Sequence, residues 1–275
     1  MWRGTDVLDE DALSELRLTP DKSRAYGGHA DQVVDFLLPG GGAGSGGGQG
    51  GEGKALVVLL HGGFWRPAYD RQHTALLARA LADEGYLVAV PEYRRTTGWP
   101  EIFDDVAVCV ESLPMMTAAL GFRPNRTVLV GHSAGGHLAL WAAARHRLPA
   151  GSPWRTESRP DAVVSLAGCA SLRLADEWRL GGGAAHDMMG GSVDALASRY
   201  ADCDPAAQLP LGVPVTLVHG VDDVVVPVTM SREYARMARE AGEEVRLVEL
   251  PDMEHYGLID PSSSAWPHVR SALEA

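Results

Sequence analysis

GHSAG, residues 131 to 135, sets a serine between two glycines in the pattern G-x-S-x-G. The run TVLV (Thr127 to Val130) before it reads as a strand, and AGGHLALWAAARH after it as a helix. On so sharp a turn Ser133 projects its hydroxyl above the strand ends, while Gly131 and Gly135 let strand and helix approach closely. A serine hydroxyl is a weak nucleophile at neutral pH and needs a base, itself oriented by a carboxylate. VTLVHGVDDVVVP supplies Asp222 or Asp223 just past a strand, and ELPDMEHYG places His255 in the loop after the last predicted strand. His61, His132, His137 and His219 lie inside motifs and are expected to orient loops through backbone hydrogen bonds.

Attack on a carbonyl leaves negative charge on its oxygen, which preformed backbone N–H donors stabilise by roughly 3 to 4 kcal/mol each. One donor is expected from Ala134, directly after the nucleophile, and a second from the loop HGGFW, residues 61 to 65. Gly63 or Phe64 would supply it, the glycines letting the backbone bend toward a substrate.

Other chemistries find less support. No HExxH or paired i, i+4 ligand set suggests a metal, and no cofactor is expected. Gly48, Gly53 and Lys54 begin a P-loop pattern, but Ala55 has no hydroxyl for magnesium and a strand follows where a phosphate-binding helix should start. Cys109, Cys169 and Cys203 are widely spaced and read as core residues of a reducing compartment. A net charge of -12 argues against nucleic acid and anionic membranes as partners, leaving a small-molecule substrate and room for a homo-oligomer. MWRGTDVLDEDALSELRL carries neither a basic nor an apolar leader region, so a cytoplasmic location is expected.

These loops need a scaffold. SRAYGGHADQVVDFLLP reads as an N-terminal hairpin, followed by a glycine-rich loop over residues 40–53. Then come helix DRQHTALLARALADEG, capped by Gly85, strand YLVAVPEYR, and helix PEIFDDVAVCVESL with Pro100 at its first position and Pro114 breaking it. Strand DAVVSLAG, strand VPVTLVHG, helix TMSREYARMAREAG, strand EEVRLVELP and a short helix in AWPHVRSALEA complete the alternation. Continuous apolar strands separated by helices predict one α/β domain over residues 1–275, its mainly parallel sheet covered by helices on both faces and edged by the antiparallel hairpin. Residues 171–211 are expected to be irregular, with one weak helix in VDALASRY, forming a small cap or a surface excursion.

With HGGFW, GHSAGGHLAL, HGVDDVVVP and EHYG in this order, the chain from about Tyr26 onward resembles the α/β-hydrolase superfamily, and within it the arylformamidase (kynurenine formamidase) and related esterase branch. The HGxxD and DxxVP spacing of such hydrolases favours Asp223 over Asp222. The resemblance implies hydrolysis of an aryl formamide such as N-formylkynurenine, or of a short acyl ester, through an acyl-enzyme on Ser133. Trp65, Tyr93 and Trp99, with Phe64, would then wall an aromatic-substrate pocket. HGxxD and YADCDPAAQLP are also similar to prolyl oligopeptidase-like enzymes, so a small peptidase is the alternative hydrolase. A catalytically silent binding protein of the same fold would require a broken triad, whereas serine, acid and histidine are all in place.

Overall fold

The computed structural model describes Arg17 and residues 19–40, 55–95 and 98–274. The P-loop-like Gly48, Gly53 and Lys54, and all of the glycine-rich stretch beyond Gly40, lie outside the described residues. Eight strands form one sheet: β1 (Lys22–Ala25), β2 (Val33–Leu37), β3 (Leu56–Leu60), β4 (Leu87–Pro91), β5 (Thr127–His132), β6 (Ala162–Leu166), β7 (Val215–Gly220) and β8 (Val245–Leu250). Their order is β1-β2-β4-β3-β5-β6-β7-β8, antiparallel at β1 and β2 and parallel throughout the rest. This is an α/β-hydrolase fold with the expected N-terminal hairpin.

Every residue of β3, β4 and β7 is buried, whereas β8 is only partly so and β1 is exposed, as sheet edges are. The pleat divides β3 between two cores. Leu56, Val58 and Leu60 pack beneath α2 (Glu101–Ala119) and α3 (Ala134–Ala144); Val57 and Leu59 face α1 (Ala75–Asp83) on the other side.

Register assembles the loops. Leu60 pairs with Gly131, His132 with Leu166, and Gly220 with Leu250. HGGFW, the GHSAG turn and the loops after β7 and β8 therefore all leave the sheet at its C-terminal edge, where open α/β sheets bind ligands. Gly85 follows α1 at φ +94°, the left-handed conformation its capping role requires.

Two expectations are corrected. Pro114 does not break α2, which runs on to Ala119. The proline is exposed, while Leu113, Met116 and Thr117 around it are buried, so packing of the apolar face carries the helix past one missing N–H. Between β6 and β7 the chain is more helical than its composition suggests, with α4 (Leu172–Glu177), α5 (Leu180–Met189) and α6 (Ala197–Cys203). Ser171 caps α4 by accepting from the Leu174 N–H, and its hydroxyl donates to the buried Asp204 3.0 Å away. Gly181, Gly182 and Gly183 all have positive φ, so α5 is regular only beyond them. Among the described residues no helix is long and apolar enough to cross a membrane.

Candidate active site

Ser133 joins β5 to α3 at φ 56°, ψ −120°, a conformation no ordinary residue adopts without support. Its N–H donates to the Leu166 carbonyl at 2.9 Å, and its own carbonyl accepts from Gly136, His137 and Cys169. A Cβ on Gly131 would lie 2.0 Å from the Gly135 carbonyl oxygen, and one on Gly135 2.1 Å from that of Leu60. Both positions need glycine because backbone already occupies the space.

The two aspartates separate cleanly. Asp222 is exposed, and Asp223 is buried with Oδ1 accepting from the Val225 and Val226 N–H groups at 2.8 Å each. Asp223 Oδ2 lies 2.6 Å from His255 Nδ1 and 3.4 Å from His219 Nε2. Burial alone would raise this carboxyl's pKa, but hydrogen bonds from His219 and His255, the charge of His255 and the Val226 N–H outweigh it and hold the group well below the usual range. His255 is itself 2 % exposed. Its carbonyl accepts from His132 Nε2 at 3.1 Å, and the two rings lie 4.5 Å apart, so its loop is docked on the residue preceding Ser133.

HGGFW passes directly beside the serine: a Cβ on Gly62 would approach Ser133 Cβ to 3.0 Å. Gly63, Phe64 and Trp65 follow one another at φ 109°, 52° and 57°. The Gly62 carbonyl accepts from His61 Nδ1 at 2.8 Å. Because a trans peptide points its C=O and N–H in opposite directions, this bond turns the Gly63 N–H away from the His61 ring. Ala134, opening α3, has no intrahelical acceptor for its N–H, as at any helix start.

Glu92, which the sequence did not single out, braces this loop together with Tyr93. His61 Nε2 meets Glu92 Oε1 at 3.0 Å, Tyr93 stacks on the His61 ring, and the Tyr93 hydroxyl donates to the His61 carbonyl at 2.6 Å. Burial opposes ionisation of Glu92, yet the charge and hydrogen bond of His61, together with Arg95 and the Arg71 N–H, bring it down to about 2. His73 is pushed down to about 3, first by burial and then by the charges of His61 and His255. A buried charged residue at a strand end, as in PEYR, is the signal that could have marked Glu92; His73 sits in a helical pattern that hides its role.

The aromatic residues expected to wall a pocket are placed differently. Trp65 is buried, its indole N–H donating 3.2 Å to His137 Nδ1, and His137 Nε2 donates 2.9 Å to the Cys203 carbonyl. Burial takes His137 down to about 4, so a neutral ring with a free Nδ1 lone pair is the form that accepts from Trp65. Tyr93 is equally buried, behind His61. Trp99 is half-buried between the Arg199 guanidinium, 3.8 Å from its ring centre, and Trp154. Phe64 remains partly exposed, and Gly181 of the β6–β7 excursion packs so tightly on its ring that a Cβ there would lie 2.4 Å from Cδ1. Arg66 and Asp187 form a further ion pair between the same two segments at 3.3 Å.

Fold and loop geometry together define an α/β-hydrolase with a serine elbow. Residues 48–237 match the BD-FAE family, and the chain belongs to it. It is 26% identical over 236 residues to the "Probable carboxylic ester hydrolase LipM" of Mycobacterium tuberculosis, covering 80% of this chain and 53% of that protein. To the "Isoprenylcysteine alpha-carbonyl methylesterase ICME" of Arabidopsis thaliana it is 28% identical over 256 residues, 86% of this chain and 56% of that one. The chain thus spans about half the length of these curated relatives. Among solved structures, a truncated carbohydrate esterase from gut microbiota superposes with a TM-score of 0.76 at 17% identity, covering 93% of this chain and 96% of that one. Esterase B of Lactobacillus rhamnosis gives 0.74 at 18%, covering 95% and 87%. At such identities the structural likeness speaks for the fold.

Proposed function

We propose that this protein is a serine esterase that hydrolyses small carboxylic esters through an acyl-enzyme on Ser133. The observation that carries the reading is the 2.6 Å bond between buried Asp223 and His255, in a loop docked on the GHSAG turn. His255 takes the Ser133 proton as the hydroxyl attacks the ester carbonyl, and Asp223 holds the imidazole in the required tautomer and stabilises the imidazolium. The N–H groups of Ala134 and of Gly63 or Phe64 receive the oxyanion. His255 then protonates the departing alcohol, and a water activated by the same ring releases the acid. Similarity to esterases such as LipM and ICME supports an ester as the substrate.

Cleavage of an aryl formamide is the narrower form of this reading, and HGGFW is the feature that favours it. The test is parallel turnover of p-nitrophenyl acetate, butyrate and octanoate, N-formylkynurenine and an aminoacyl arylamide, with Ser133→Ala as the blank. Ester turnover lost in Ser133→Ala supports the esterase. Formamide turnover at a comparable kcat/KM adds the arylformamidase activity, its absence removes only that branch, and preference for the arylamide would replace both with a peptidase.

A further inference from the structure

A cavity opens at the end of the sheet opposite Ser133. It is lined by Leu56 and Thr127, the first residues of β3 and β5, by the second half of α2, by the end of α3 and by residues 156–160. Ser133 lies beyond the other end of β5, about 20 Å away at the rise of an extended strand. A molecule bound in the cavity therefore cannot reach the triad.

Its volume is 370 Å³, toward the small end of the roughly 300 to 1,000 Å³ of ligand sites. The walls are apolar, with Leu56, Val110, Leu113, Phe122 and Leu129 among them. The charged lining is three arginines against a single carboxylate: Arg123, Arg145 and Arg159 against Glu111. Arg145 is 2 % exposed and already bound to Glu111 and to the Trp154 carbonyl. Arg123 and Arg159 are exposed at the rim and have no ion-pair partner among the described residues. The nearby Glu157 is engaged by Arg155 at 2.7 Å. In a chain of net charge -12, an apolar cavity edged by two arginines without an ion-pair partner among the described residues is the reverse of the general surface.

We propose that this cavity binds a small carboxylate with an apolar body, an aryl- or alkyl-alkanoic acid. Arg123 and Arg159 hold the carboxylate, which matches guanidinium geometry in a two-point contact. The ring or alkyl chain lies over Leu113, Phe122 and Leu129. A bare inorganic anion would satisfy the arginines and leave the apolar walls in water. An acid released by ester cleavage belongs to this class, but the site is argued from its own lining and does not depend on the reading of Ser133.

The test is calorimetric titration of 4-phenylbutyrate, with 4-phenylbutyramide as the uncharged counterpart, into the Ser133→Ala protein. The same titration is run with Arg123→Ala/Arg159→Ala added, and separately with Ala118→Trp, which fills the cavity from α2. Thermal melts check that each variant is folded; the exposed arginines are expected to be removable without loss of stability. Saturable one-site binding is expected, about tenfold weaker for the amide and about tenfold weaker without the two arginines, and abolished by Ala118→Trp. Absence of saturable binding in the millimolar range overturns the proposal. So does binding unchanged in both cavity variants, which would assign the probe to the catalytic cleft. Since catalysis is switched off throughout, the outcome is the same whether or not the chain proves to be an esterase.

Discussion

Two segments that touch one another run through left-handed backbone by opposite means. In HGGFW and the GHSAG turn it is held largely by residues with side chains, Phe64, Trp65 and Ser133, and in the β6–β7 excursion largely by Gly181, Gly182 and Gly183. Left-handed backbone costs a residue with a Cβ about 1 to 2 kcal/mol, and glycine almost nothing. The first segment therefore needs external clamps, and it has them: Leu166, Gly136, His137 and Cys169 on the Ser133 backbone, and His61 on the Gly62 carbonyl. The second needs only room beside Phe64. Strain is concentrated around Ser133 and HGGFW, and the neighbouring segment that packs on Phe64 is cheap to bend.

The largest expected effect separates chemistry from scaffolding. Asp223→Asn should lower kcat/KM for a p-nitrophenyl ester by about 10⁴-fold with the melting temperature little changed, whereas Asp222→Asn should leave turnover unaltered. Equal losses at the two positions would undo the assignment of roles. The glycines come next. Gly135→Ala forces a Cβ to within 2.1 Å of the Leu60 carbonyl and should cost more than about 4 kcal/mol or prevent folding. Gly182→Ala meets nothing within 4 Å and should cost only the left-handed penalty of about 1 kcal/mol, read by urea denaturation.

The buried histidines beside these loops also predict a pH dependence. Burial above all lowers His73 to about 3 and His137 to about 4, and His132 well below its ordinary 6.5. The unfolded chain binds these protons and the folded one does not, so stability is complete above about pH 6.5 and lost as pH falls toward 3 to 4, by up to about 1.4 kcal/mol per histidine per pH unit. Melts from pH 7.5 to 4.5 should show this decline, and His73→Phe should make it shallower; an unchanged slope would remove His73 from the account. A far smaller effect on turnover than that of Asp223→Asn is expected at Trp65→Phe, which leaves His137 Nδ1 without its donor. A loss of about tenfold in kcat, with KM nearly unchanged, is the mark of a positioning role, whereas a KM effect alone would return Trp65 to a substrate pocket.

What the sequence disclosed follows the range of the interactions involved. Ser133, the order of acid and histidine, and the strand–helix alternation are written in local patterns, and so were legible. Motif spacing favours Asp223 over Asp222, but the burial and the bond to His255 that set it apart are displayed by no window of sequence. Trp65 stands out as part of a motif, but its partner His137 is 72 positions away, and Glu92 braces His61 from another strand, so their roles became visible only through the sheet register. Pro114 was misread for the converse reason: local propensity argues against helix there, and tertiary packing overrides it.

The claim that Ser133 is the nucleophile aimed by these clamps is tested most directly by covalent labelling. A fluorophosphonate probe should add to the chain once, on the peptide containing Ser133, as read by intact and peptide mass spectrometry. The adduct should be absent from Ser133→Ala and form far more slowly in Asp223→Asn. A folded protein that takes up no label, or takes it at another serine, would contradict the account.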